Sequence, residues 1–294
     1  MRIIDSHVHL YPPEVNRNPA GWAAARGETR WAALATRRRS DGRPVQSFPS
    51  LPELLASMDG AGVERAVLLG WYWEDLATAA EQNRFFAECV RAHPDRLSAY
   101  AALHPAAGRE ATLAEVRRSR DDGLTGIGEL FPAAQGFSPE DPVFREALAL
   151  AGELRMPVNC HATDPDGAAH PGRMETPPGD FLRWARDFPS TTFILAHWGG
   201  LLPLRAPEAA ELPNLYYDTA ASPLLYDDGI WRRFIGTTGP ERVLFGSDFP
   251  LNLYPKGEPG NSWVRIAEEA RASGLDAAAL AAVLHDNALR VAVR

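Results

Sequence analysis

Ile4-Asp5-Ser6-His7-Val8-His9-Leu10 is the stretch on which the fold of this 294-residue chain turns. An apolar run ends in two histidines spaced i, i+2. In an extended strand alternate residues share a face, so His7 and His9 present two imidazoles side by side. That is what a divalent metal asks of its ligands. Asp5 is expected on the same face, one step deeper. Over these seven residues alone a chance pairing would look identical, so the rest of the chain has to decide.

Working outward, short apolar runs alternate with helical patterns. Strands are expected at 2–7, 65–70, 97–103, 126–130, 157–161, 192–197, 215–218 and 242–246. Helices are expected at 52–61, 75–92, 110–122, 142–154, 178–188, 202–210 and 224–235. Strand–helix alternation implies parallel βαβ units, and eight of them in under 300 residues give an α/β fold of the (β/α)8 barrel type. An open doubly wound sheet is the competing architecture, but the Gly-rich phosphate loop it usually carries after the first strand is missing. Residues 1–294 are read as a single barrel domain. A long loop insertion at 11–49, with Pro12-Pro13, Trp22, Trp31 and Arg37-Arg38-Arg39, follows the first strand and would overhang the mouth. A Pro/Gly/Asp-rich segment, 162–178, follows the fifth strand. The pattern 276–293 is an extra C-terminal helix.

Composition narrows the class. The chain is 45% hydrophobic and 23% charged, with net charge −8, which argues against a nucleic-acid partner. Two cysteines, Cys89 and Cys160, make no disulfide framework. No apolar run is long enough for a membrane helix and no cleavable leader is visible, so a cytoplasmic location is expected.

Metal-capable residues recur where the apolar strands end: His7 and His9, then Glu129 in Gly128-Glu129-Leu130, His161 after Asn159-Cys160, His197 in Ala196-His197-Trp198, and Asp248 in Gly246-Ser247-Asp248. Barrel active sites are built from such positions.

With these motifs the chain resembles the amidohydrolase superfamily, in its amidohydrolase-related branch of metal-dependent barrels. The resemblance runs from the His7/His9 pair to Asn287-Ala288-Leu289-Arg290. It implies His7, His9 and His161 as metal ligands, and Asp248 as a ligand that also moves a proton. It implies His197 as a second-metal ligand or as the base that holds water, and Glu129 where two-metal members carry a bridging group. Zn2+, one ion or two, is the expected cofactor, with Mn2+ as the other candidate. Such an ion acidifies water and polarises a carbonyl. A homodimer is a further implication of the resemblance.

Candidate substrate contacts are Asp164, His170, Arg173, Trp198 and Asp218. Each has a plainer reading as loop, packing or barrel-core residue. Arg37-Arg38-Arg39 would hold a substrate carboxylate if the first loop folds over the mouth; otherwise it is a solvated face. Cys160 should face the helices as a buried thiol, and His104 reads as structural. The activity expected first is hydrolysis of a small lactone, ester or amide. The alternative is non-oxidative decarboxylation of an aromatic or unsaturated acid. Some such decarboxylases carry glutamate in place of the first histidine, and His7 departs from that. A non-catalytic barrel fits poorly with so complete a ligand set.

Overall fold

Eight strands follow one another in sheet order, all parallel: β1 (Ile3–Val8), β2 (Val63–Leu69), β3 (Leu97–Ala101), β4 (Gly126–Leu130), β5 (Val158–Cys160), β6 (Phe193–Leu195), β7 (Leu215–Asp218) and β8 (Val243–Leu244). This is a computed structural model, and it describes residues 2–168, 173–252 and 263–293. The ring closes between β8 and β1 through Ser6 N–H to Phe245 O (2.8 Å), Asp248 N–H to His7 O (3.0 Å) and His9 N–H to Phe249 O (2.7 Å). The fold is therefore a (β/α)8 barrel.

Alternation along the strands sorts the side chains. Ile4, Val67, Leu69, Tyr100, Ile194 and Leu244 form one buried cluster. Ala66, Leu68, Ala99, Ala101, Phe193, Leu195 and Val243 pack in a second with the surrounding helices. The β1 register slips between Asp5 and Val8, where three steps on β1 match two on β2. Such a bulge re-aims the side chains after it. The Asp5 carboxylate, at the base of the bulge, holds main chain and an indole. It accepts the main-chain N–H of His7 (2.9 Å) and of Ser247 (3.0 Å), and the indole N–H of Trp263.

The segment after β1 is more than a loop. It folds into three short helices, Pro13–Arg17, Pro19–Arg26 and Thr29–Ala35. Tyr11 and Trp31 pack edge-on at 5.3 Å, and Trp31 reaches Trp73 at 5.6 Å. Each aromatic pair of this kind adds roughly 0.5–1.5 kcal/mol beyond its buried area. Glu28 is fully buried and accepts the Glu74 N–H (2.9 Å), while the Glu74 carboxylate accepts the Arg30 N–H (2.8 Å). The insertion is thus pinned to the residues that follow β2. Among the described residues no helix is long and apolar enough to cross a membrane.

Candidate metal centre

Six side chains expected from the sequence meet at the C-terminal ends of β1, β4, β5, β6 and β8. His7 Nε2 lies 3.3 Å from His9 Nε2. Glu129 Oε2 is 3.8 Å from His7 Nε2 and 3.6 Å from His9 Nε2. Asp248 Oδ1 is 3.8 and 3.5 Å from the same two nitrogens. On the other side, Glu129 Oε1 is 2.9 Å from His161 Nδ1 and 3.6 Å from His197 Nε2, which is itself 3.2 Å from His161 Nδ1. Two three-ligand groups result, His7–His9–Glu129 and Glu129–His161–His197, sharing one carboxylate. His161 therefore joins Glu129 and His197, where the resemblance grouped it with the histidine pair.

The spacing fits a cation. A tetrahedron of metal–ligand bonds of about 2.1 Å has edges of about 3.4 Å, close to the separations in both groups. Electrostatics agree. Burial works against a charge on His7, but Asp218, Glu129 and Asp248 together push its pKa up to about 10. Burial and the charge on His7 bring His9 down to about 3, and burial also lowers His161, so these two are neutral, as ligands must be. Glu129 is held well below the usual carboxylate range by His161, His197 and His7 against the pull of burial. Burial raises Asp248 to about 6, with His7 and His197 opposing it. The pocket is a buried anionic field that calls for positive charge.

Local backbone makes this convergence possible. At Gly128, φ is +133° and a Cβ would fall 2.4 Å from Asn159 O, so only glycine lets Glu129 follow so close to β5. His197 and Asp248 both take left-handed φ, 56° and 65°, which turns each side chain off its strand direction into the mouth. His197 consequently sits in a left-handed turn just past β6, where a strand end was expected.

Above these groups is a cavity of about 370 Å³. Trp71, Tyr72 and Phe131 form an aromatic wall, with Trp71 stacked on Tyr72 at 4.2 Å and Phe131 on His161 at 4.3 Å. Leu34, Ala35, Arg37, Val45 and Gln46 of the insertion also line it. Arg37 is half-buried, and its Nε has no hydrogen-bond partner.

The expected substrate contacts divide. Asp164 and Arg173 line the cavity. Asp164 also joins neighbouring loops, pairing with Arg205 (2.8 Å) and accepting from the Tyr226 hydroxyl (3.1 Å). Arg173 is engaged by Glu175 and by the carbonyls of Asp164 and Pro165. His170 lies outside the described residues. Trp198 is fully buried against Trp231 and Phe234 and donates to Ser222 Oγ (2.9 Å), so it packs rather than faces substrate. Asp218 is likewise fully buried, beneath His7 at 2.9 Å, and reaches no ligand space. His104 is structural, its ring tied to Gln135 O and Ala106 N. The aromatic wall was not anticipated; the run Trp71-Tyr72-Trp73 at the end of β2 was its signal.

Comparison with known proteins agrees with this architecture. No curated protein matches the chain. Among solved structures, a 5-carboxyvanillate decarboxylase from Sphingomonas paucimobilis has a TM-score of 0.71 at 17% identity, covering 99% of this chain and 98% of that one. A dihydroxybenzoic acid decarboxylase from a Polaromonas species, with bound manganese and the inhibitor 2-nitroresorcinol, scores 0.67 at 17% identity, covering 98% and 96%. A 4-oxalomesaconate hydratase from Rhodopseudomonas palustris scores 0.67 at 17% identity, covering 98% and 95%. At such identities the likeness is one of fold. The family described as amidohydrolase matches residues 4–291, nearly the whole chain, and on that ground this protein is an enzyme of the amidohydrolase family.

Proposed function

We propose that this enzyme is a metal-dependent lyase that removes CO2 from a small aromatic or unsaturated carboxylic acid. The observation that carries this is the make-up of the cavity: an aromatic wall of Trp71, Tyr72 and Phe131, an acid-and-imidazole floor and a half-buried arginine, Arg37, whose Nε has no hydrogen-bond partner among the described residues. The decarboxylases among the solved structures support the same direction.

His7, His9, Glu129 and Asp248 would hold the ion, and His161 and His197 would complete a second group around Glu129. A bound Zn2+ or Mn2+ would polarise the substrate's oxygens and offset charge as the carboxylate departs. The chain does the rest. The aromatic wall holds a planar substrate, and Arg37 pairs with an anionic substituent away from the reacting carbon. The Asp248 carboxyl, which opens into the cavity, carries a proton to that carbon. The bond to the carboxylate carbon then breaks, its electron pair stays with the newly protonated carbon, and CO2 leaves. Burial keeps water from competing.

Hydrolysis of a lactone, ester or amide is the second reading, and one observation favours it. Glu129 belongs to both ligand groups, as in a two-ion site that clamps water and carbonyl together. The deciding experiment loads the protein with Mn2+ or with Zn2+. It then measures CO2 release from hydroxybenzoates and unsaturated diacids beside hydrolysis of lactones, esters and amides. Turnover confined to the second panel would sink the lyase proposal.

A further inference from the structure

We propose that Asp218 is the positioning residue that sets both halves of the centre at once, fixing the ring of His7 and the main chain of His197 through a single carboxylate. The inference rests on the cluster being a metal centre. Four N–H groups converge on Asp218. Its Oδ2 accepts from His7 Nδ1 (2.9 Å) and Asn159 Nδ2 (3.1 Å), and its Oδ1 from the main-chain N–H of His197 (3.1 Å) and of Ala220 (3.0 Å). An ionised carboxylate is acceptor-only with about four lone-pair sites, and here each is used.

Two consequences follow for the site. Because Asp218 accepts, His7 must donate from Nδ1, which leaves Nε2 to face His9, Glu129 and Asp248. At His197 the backbone is left-handed, φ 56° and ψ 51°, a conformation an L-residue keeps only when its surroundings fix it. Asp218 Oδ1 holds that peptide from one side. Ala220, held by the same oxygen, offers its carbonyl to His197 Nδ1 (3.1 Å), and a carbonyl can only accept. Both rings therefore have Nδ1 secured at the end of β7 and Nε2 turned toward the ligand space. An asparagine at 218 would set its own N–H2 against two of the four donors.

The test is zinc binding by calorimetry, with long-range 1H–15N correlation spectra of zinc-loaded, histidine-labelled protein. In the wild type, His7 and His197 should each show Nδ1–H with Nε2 coordinated. Asp218→Asn should weaken zinc binding about 10–100-fold and shift or abolish the His7 Nδ1–H signal. Leu215→Ala, which cuts a buried side chain on the same strand, should lower Tm and leave both readouts unchanged. Unaltered affinity and spectra in Asp218→Asn would overturn the proposal. So would zinc on Nδ1 of His7 in the wild type, a readout that needs no variant to fold. A wild type that takes up no zinc would instead bring down the metal-centre reading, and this inference with it.

Discussion

The ring of Phe131 lies face to face with that of His161, their centroids 4.3 Å apart and their planes 18° from parallel. His161 is the most open of the four imidazoles at the floor, with 20% of its side chain exposed, so this stacking and the Glu129 contact set its orientation. Phe131→Leu keeps apolar volume and removes the flat surface. It should weaken zinc binding about ten-fold while Tm stays within about 2 °C, the shift that one kcal/mol gives a chain of this size. Calorimetry beside a melting curve checks this; unchanged affinity would mean that Glu129 alone aims the ring.

Arg37 is where substrate charge should be felt. Arg37→Met removes the guanidinium with little change in bulk. It should raise KM at least about ten-fold for anionic substrates, the loss of one charge-assisted contact worth about 1.5–3 kcal/mol, with kcat nearly unchanged. Neutral analogues should be indifferent. Steady-state kinetics on matched acid and ester substrates would separate the two, and equal losses on both would show that Arg37 supports the fold of the insertion instead.

Glu129 is shared by both ligand groups, so its removal should change stoichiometry as well as affinity. With excess zinc, the wild type should approach two ions per chain and Glu129→Gln no more than one, read by elemental mass spectrometry. One ion in both would leave Glu129 as the acceptor that orients His161.

Stability should carry a pH signature from outside the centre. Burial raises Glu28 from 4.5 to about 7, with the hydrogen bond from Glu74 opposing it. The folded chain then binds a proton that the unfolded chain has lost. The contribution of Glu28 to stability is therefore greatest below about pH 4.5, falls as pH rises toward 7, and levels off above. Glu28→Gln keeps an acceptor for the Glu74 N–H and cannot ionise. It should flatten Tm between pH 5 and 8 and raise it at pH 8 by about 2–6 °C. A slope as steep as in the wild type would place the titration elsewhere.

Much of the architecture was open to sequence reading because strand alternation and helix period are local. The bounds expected for β4 and β7 are those found, and the bounds expected for the helices ending at Ala61 and Ala92 agree to within one residue. Where neighbours decide, sequence pattern fell short. β8 shrinks to Val243–Leu244 because the chain turns at once into the site. The helices expected at 202–210 and 224–235 each break, before Pro207 and around Asp227-Asp228-Gly229. The helix Trp263–Ala272 was not foreseen. The ligand residues were legible because their types are rare at strand ends. Trp198 was misplaced as a substrate contact because its left-handed backbone turns it into the core, which composition does not announce, and Asp218 because donors from other strands, at His7 and Asn159, and from His197 and Ala220 take up its carboxylate.

The division of the cavity between barrel and insertion has an outcome for design. The metal-capable residues all come from barrel strand ends, while Leu34, Arg37, Val45 and Gln46 come from the inserted helices and the stretch behind them. Under the proposed function the insertion is thus the part of the cavity lining that would be exchanged while the metal-capable residues and the aromatic wall are kept. The boundary of such a graft is set by the aromatic packing. Tyr11 and Trp31 interlock with Trp71 and Trp73, so a transplanted roof has to pack against residues 71–73.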